Sequence, residues 1–454
     1  MNISAIKFGL RNDPRRYPPL GASRRSRTRQ SRLRAGLKHN LPRTLVILPV
    51  LLLLARISLF NKGHVENAFG YIDSYAIVEI SLVGATIFLL LRDVATGQVL
   101  RAVAGAPVRW LLLYYVFATV STLWSLMPFY TLFRGVEVLT QFLAVFVILA
   151  HGRSFAAREF TFLAAGAITI VLDIAGTARL SGGIDSIEAI HTCSYSNIGL
   201  MLFAYSLAEY PGCERPRRRT LLLFGLIGLA AIAVGTSATT NVAAVLGILL
   251  AVIISTWRSG LRPITVTAIC LLLFLGVLAV LARNSTLAWL MPNKTMEEIQ
   301  GFTGRRELWE SLSLSGALRE NPLLGLGFVA STRAGDLAVF NAHNALLQAL
   351  LDTGLAGTII LSLALIALGV SCIRRLKQRS AGSAGFAAAF LALLPVNVTV
   401  PIWEVGWEKS VLAWAFLVGL HTFSSGQRKP RPAPLHAIGV RCGTPRLGLM
   451  SGRQ

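Results

Sequence analysis

Twelve apolar stretches, each near the roughly 20 residues needed to cross a bilayer, dominate this chain. They lie at roughly 43–60, 74–91, 108–126, 131–150, 159–176, 195–210, 219–236, 241–256, 262–282, 344–372, 383–400 and 409–424. Inside hydrocarbon every backbone N–H and C=O must find a partner within the protein, which leaves only helices and closed barrels. A barrel would show alternation in strands of about ten residues, and none is visible. The predicted fold is therefore all-α: a polytopic transmembrane helical protein of about 12 spans. Composition agrees: 54% of the 454 residues are hydrophobic and 14% are charged, against roughly a quarter charged in a soluble domain. The stretch 344–372 exceeds one span and is expected to be entered from a surface helix.

A net charge of +23 would suggest nucleic acid in a soluble protein, but its distribution argues for a membrane surface. Residues 1–43 hold twelve Lys/Arg and one acid, Asp13, and residues 425–454 hold six Lys/Arg and none. Such tails suit the anionic cytoplasmic leaflet. The stretch from Ser23 to Arg34 lacks the aromatic platforms that accompany single-strand binding, so no nucleic-acid partner is expected. The first apolar run, Leu45–Phe60, follows too long and too basic a segment for a cleaved signal peptide and reads as a span. Five cysteines carry no metal spacing, and only Cys193 falls on the outer side, so no internal disulfide is expected.

Loop charge sets the orientation. Alternate loops are basic: Arg92/Arg101/Arg109, Arg153/Arg158, Arg215/Arg217/Arg218/Arg219, Arg258/Arg262 and Arg374/Arg375/Lys377/Arg379. The opposite set is short or poor in cations. This phasing divides the chain into a cytoplasmic tail (1–42), spans one to nine (43–282), one large periplasmic loop (283–343), spans ten to twelve (344–424) and a second cytoplasmic tail (425–454). The few ionisable residues inside spans, Arg56, Glu79, Arg134, Glu137 and Asp173, all fall in the outer halves of their helices. Intramembrane charges are paired or functional, and Arg134 and Glu137, three residues apart, can pair on one helix face. A secondary transporter would place such groups at the midplane, on broken helices.

The large loop collects the polar chemistry. Gly301–Arg306 is a turn-forming stretch, and Glu307–Leu318 reads as a surface helix with Thr303 as a plausible N-cap. Asn321–Gly327 ends it in a Gly-permitted turn. His343-Asn344 opens the next helix, and on residues alone both fit a capping role as well as a chemical one. Two arginines, a histidine and several carboxamides on one side of a membrane suit a charged ligand. No DxD, HExxH, Walker A or GxGxxG pattern occurs, so no metal, nucleotide or other cofactor is expected.

In this region the chain resembles the O-antigen ligase and polymerase superfamily of bacterial envelope enzymes. The resemblance rests on Thr303-Gly304-Arg305 with Trp309, then Asn321-Pro322-Leu323-Leu324-Gly325-x-Gly327, then His343-Asn344-x9-Gly354-x-x-Gly357, about 55 residues in all. Trp124-Ser125, Pro128 and Arg134 are also similar to the family. Within it the chain looks most like exopolysaccharide polymerases of the succinoglycan type. It departs from the family where His-x-Asn is common, with Tyr195-Ser196-Asn197 in that place. It departs again where Ser-Arg-Gly is common, with Thr236-Ser237-Ala238-Thr239-Thr240-Asn241.

The resemblance implies a metal-independent glycosyltransferase of the inner membrane, using an undecaprenyl-pyrophosphate-linked oligosaccharide at the periplasmic face. It implies polymerisation of lipid-linked repeat units. The alternatives are a ligase moving finished polymer to another acceptor, or a non-enzymatic polysaccharide transporter. The implied catalytic residues are Arg305, whose rigid fork matches the leaving pyrophosphate, and His343, which titrates near neutrality and suits a general base. Arg306, Arg134, Glu137, Asn344 and Trp309 are the implied substrate-binding residues. Membrane lipids, a flippase and a chain-length regulator are the implied partners.

Overall fold

The computed structural model describes residues 47–55 except 49 and 53, then 74–180, 193–235, 238–258, 309, 319–332, 342–397 and 409–424. All belong to the unit Arg43–Gln454. Among these residues the regular structure is entirely helical. The long helices are α1 (Ser74–Arg92), α2 (Val94–Ala104), α3 (Arg109–Val120), α4 (Pro128–Ala150), α5 (Phe155–Leu180), α6 (Cys193–Glu209), α7 (Arg215–Val234), α8 (Ala238–Arg258), α9 (Ala345–Lys377), α10 (Ser383–Asn397) and α11 (Lys409–Phe423). The expected span 262–282, both basic tails and most of the loop lie outside the described residues.

The helices coincide with the apolar stretches of the sequence. Pro128–Ala150, Phe155–Gly176 and Ala345–Lys377 are each long and apolar enough to cross a membrane alone. Thr239–Ile254, Ser383–Asn397 and Val411–Phe423 are shorter apolar helices. One element departs from the sequence reading: α2 occupies a stretch expected to be a loop. The Asp93 side chain caps it by accepting from Ala95 N at 2.7 Å. Ala95, Val99 and Val103, spaced by four, are buried along one side. The Ala95–Ala104 and Arg109–Leu123 segments meet at 106°.

Helix contacts sort the bundle into two ends. At one, Thr131 near the start of α4 meets Phe328 of the loop, and Thr240 near the start of α8 meets Asn197 of α6. At the other, Arg217 of α7 pairs with Glu159 of α5 and with Glu209 at the end of α6, the latter at 2.9 Å. Burial opposes the charge on Arg217, but its bonds to Glu159 and the attraction of both carboxylates more than offset this and raise its pKa. Glu209 also caps α10, accepting from Ala384 N at 3.0 Å and Gly385 N at 3.1 Å. The first is the loop end, the second the basic end. Trp414, Tyr114, Tyr115 and Tyr205 are among the largest fully buried side chains.

Candidate active site: a clasp around a broken helix

The site is built on a break in α9. Gly354 has φ 64° and ψ −168°, a conformation essentially reserved for glycine. The break frees helix backbone groups on both sides, and the Asn321–Gly327 turn takes them up. Leu326 N donates to Leu351 O at 2.9 Å and Gly327 N to Asp352 O at 2.8 Å. In return, Leu355 N donates to Pro322 O at 2.9 Å and Ala356 N to Leu323 O at 3.1 Å. Four backbone groups that a straight helix would satisfy internally are thus satisfied between two segments. The glycines of the Gly325-x-Gly327 motif have φ 68° and 103°. The sequence motif is the clasp.

The clasp is fastened to α3 and α4 as well. Trp124 Nε1 donates to Leu324 O at 2.8 Å, and Leu126 N to Leu326 O at 3.0 Å. Phe328 N donates to Ser121 Oγ at 2.9 Å, and Thr131 Oγ1 to Phe328 O at 3.0 Å. Thr131 also shares a hydrogen bond with Ser125 Oγ at 2.7 Å. Trp124-Ser125 therefore belongs to the same structural unit as the loop motif, about 200 residues away.

Inside the clasp is a buried polar network. Gln348 Nε2 donates to Asp352 Oδ2 and to Ser331 Oγ, both at 2.9 Å, while Ser331 N approaches Asp352 Oδ1 at 3.3 Å. Gln348 Oε1 accepts from Ala342 N at 2.8 Å, and Ala342 O accepts from Trp309 Nε1 at 2.8 Å. Ala342, the residue preceding His343, is therefore held at both its amide and its carbonyl. His343 itself has φ 51°. A non-glycine residue in the left-handed region costs about 1–3 kcal/mol and persists only where its surroundings impose it. Asn344 follows as N-cap of α9, its Oδ1 accepting from Leu346 N at 3.0 Å and Leu347 N at 3.1 Å. The capping reading of Asn344 is what the structure contains, and His343 is the half-buried residue held just outside the helix.

Arg134 forms a second group one turn along α4 from Thr131. It donates to Glu79 Oε1 at 2.8 Å and to Glu137 Oε2 at 2.7 Å. Gln141 Nε2 approaches Glu137 Oε1 at 3.3 Å, and Arg134 Nε is buried without a partner. The i, i+3 pair expected from sequence is present, and Glu79 of α1 joins it. One arginine facing two carboxylates leaves the group with no surplus positive charge. Arg305 and Arg306 lie outside the described residues.

Gln348, Asp352 and Ser331 were not among the sequence candidates. The available signal was a Gln-x-x-x-Asp pair on one face of an otherwise apolar helix start. At the places where the chain departs from the family, Thr240 Oγ1 donates to Asn197 Oδ1 at 2.9 Å. Asn197 Nδ2 and, at the loop end of α10, Asn397 Oδ1 are buried without partners.

A helical membrane protein whose loop is locked into a discontinuous helix beside a strained histidine is the class that fold and site define. Residues 222–362 match the family model described as O-antigen ligase. The match runs through the clasp and the break in α9 and supports placing the chain in the O-antigen ligase and polymerase superfamily, a group of membrane glycosyltransferase-type enzymes. Comparison with curated proteins gives no match.

Proposed function

We propose that the protein joins repeat units carried on a polyprenyl pyrophosphate into a longer polysaccharide, at the periplasmic face of the inner membrane, in the manner of exopolysaccharide polymerases of the succinoglycan type. The observation that carries this reading is the grip on Ala342. Trp309 and Gln348 hold its carbonyl and amide, at 2.8 Å each, and the next residue, His343, has φ 51°, a conformation uncommon outside glycine. Stored strain of this kind clusters at functional sites.

In the proposed reaction a hydroxyl of the acceptor sugar attacks the anomeric carbon of the donor. The new C–O bond forms as the anomeric C–O bond to the pyrophosphate breaks, and His343 takes the hydroxyl proton. Arg305 and, secondarily, Arg306 bind the departing pyrophosphate; a bidentate guanidinium fits its charge and geometry. Trp309 acts by positioning the histidine. Arg134 and Glu137 lie toward the same end of the bundle and complete the proposed substrate-binding set. A flippase delivering the lipid-linked unit and a chain-length regulator are the partners this reaction calls for. Cleavage of the glycosyl–pyrophosphate bond of the donor supplies the driving force, and no metal takes part.

The ligase alternative has one observation in its favour, the description of the matched family. Deleting the gene separates the two. Loss of polymerisation leaves single repeat units on the lipid carrier. Loss of ligation leaves full-length polymer there. His343→Ala, expressed to the wild-type level, is expected to reproduce the single-unit accumulation, because losing a general base lowers the rate about 10²–10⁴-fold. Polymer of normal length and amount in that strain would remove His343 from the chemistry.

A further inference from the structure

A second buried polar cluster lies at the basic end, remote from the clasp. Ser371 and Arg375 stand one turn apart on α9, facing His421 and Ser424 at the end of α11. Arg375 is 9% exposed. Its Nη1 donates to Ser424 Oγ at 2.9 Å, and Ser424 Oγ donates to His421 O at 2.8 Å. His421 Nε2 shares a hydrogen bond with Ser371 Oγ at 3.1 Å, and its ring stacks on Phe386 at 3.8 Å. His421 Nδ1 is buried with no partner.

Among the described residues this arginine has no counter-charge. Arg134 and Arg217 each face two carboxylates, whereas Arg375 pairs with none among the described residues. Its Nε and Nη2 make no hydrogen bond there either. Arg158 of α5, which also reaches the end of α11, is committed to the carbonyls of Leu149, Gly152 and Phe423. The negative end of the α11 dipole offsets only part of the positive charge. Arg375 is largely withdrawn from water, a costly placement for a guanidinium whose one protein bond is to a neutral hydroxyl. Around the buried group, Arg374, Lys377 and Arg379 are exposed and focus a positive field on it.

We infer that Arg375, Ser424 and His421 form a binding site for a phosphate group. The two free nitrogens of Arg375 supply a fork for two phosphate oxygens. With Ser371 donating to His421 Nε2, the unpartnered Nδ1 carries a proton and adds a further donor. The phosphate belongs to an anionic lipid headgroup in the leaflet at this end, or to inorganic phosphate; the recognising chemistry is the same.

Native mass spectrometry of the purified full-length protein tests this, with added phosphatidylglycerol, phosphatidylcholine or inorganic phosphate. Wild type should retain a phosphatidylglycerol or a phosphate adduct, and which of these survives identifies the source. Arg375→Gln should reduce that adduct about tenfold, the equivalent of one charge-assisted hydrogen bond, while Arg374→Gln should leave it in place. Ser424→Asp supplies Arg375 with an internal carboxylate. It should displace the adduct with the arginine intact, which keeps the test decisive if Arg375→Gln fails to fold. Equal adduct populations in wild type, Arg375→Gln and Ser424→Asp would overturn the assignment.

Discussion

Gly325 and Gly354 meet backbone to backbone: a β-carbon on Gly325 would stand 2.5 Å from the amide nitrogen of Gly354. From the other side, a β-carbon on Gly354 would overlap the carbonyl of Leu323. Neither residue has room for a side chain, and both have positive φ. Gly354→Ala is therefore expected to destabilise the protein by at least about 2 kcal/mol, from backbone conformation alone. Thermal unfolding of the purified protein measures it. Gly84→Ala, on α1 with nothing within 4 Å, should be neutral or slightly stabilising. Equal melting temperatures for the two variants would mean that the clasp does not depend on the glycine break.

Gln348 bridges the helix, the loop and the peptide before His343. Replacing it with leucine leaves Ala342 N without its acceptor and removes the donor to Ser331 Oγ and Asp352 Oδ2. Each buried polar group left unsatisfied costs about 1–3 kcal/mol. Gln348→Leu should lower both stability and polymer yield, and expose the 319–332 segment to limited proteolysis. Unchanged proteolysis with full activity would argue against the network.

The Arg134 group separates structure from function by a combined variant. Arg134→Met alone buries two uncompensated carboxylates and is expected to reduce folded protein sharply, by about 3–5 kcal/mol. Adding Glu79→Gln and Glu137→Gln removes the charges together and should restore the folded yield. Polymer should remain absent in the triple variant if Arg134 contacts substrate. Recovery of polymer along with fold would make the group an ion-pair support only.

For Arg305 the expectation is loss of polymer in Arg305→Ala with normal membrane insertion, and partial rescue by lysine, which keeps a charge and loses the fork. Full activity in Arg305→Ala, assayed by polymer length on gels, would eliminate this residue from the mechanism.

Loop charge predicts that 283–343 faces outward and both tails inward. Single cysteines introduced across 283–343 should react with an impermeant reagent in intact spheroplasts, and cysteines within 1–40 should not. Labelling of the N-terminal tail from outside would reverse the topology.

Much of this protein was legible in one dimension. A bilayer admits few backbone solutions, so the length of the apolar runs placed helices over 74–91, 131–150 and 383–400 without reference to any contact. The Asn344 cap and the Arg134–Glu137 pair were readable because both act within one or two helical turns. The loop motif was visible as a string of glycines and polar residues, but its physical meaning was not. That meaning lies in backbone hydrogen bonds between Leu326 and Leu351 and between Leu355 and Pro322, which join segments about 30 residues apart. The seat of Trp124 on Leu324, across 200 residues, is further still from local pattern. Helix α2 escaped the sequence reading because its stability rests on Asp93 capping and on burial of three small apolar side chains. The lone charge of Arg375 escaped it for the same reason. Sequence shows which residues carry charge; only the packed structure shows that Arg134 and Arg217 face carboxylates while Arg375 faces a hydroxyl.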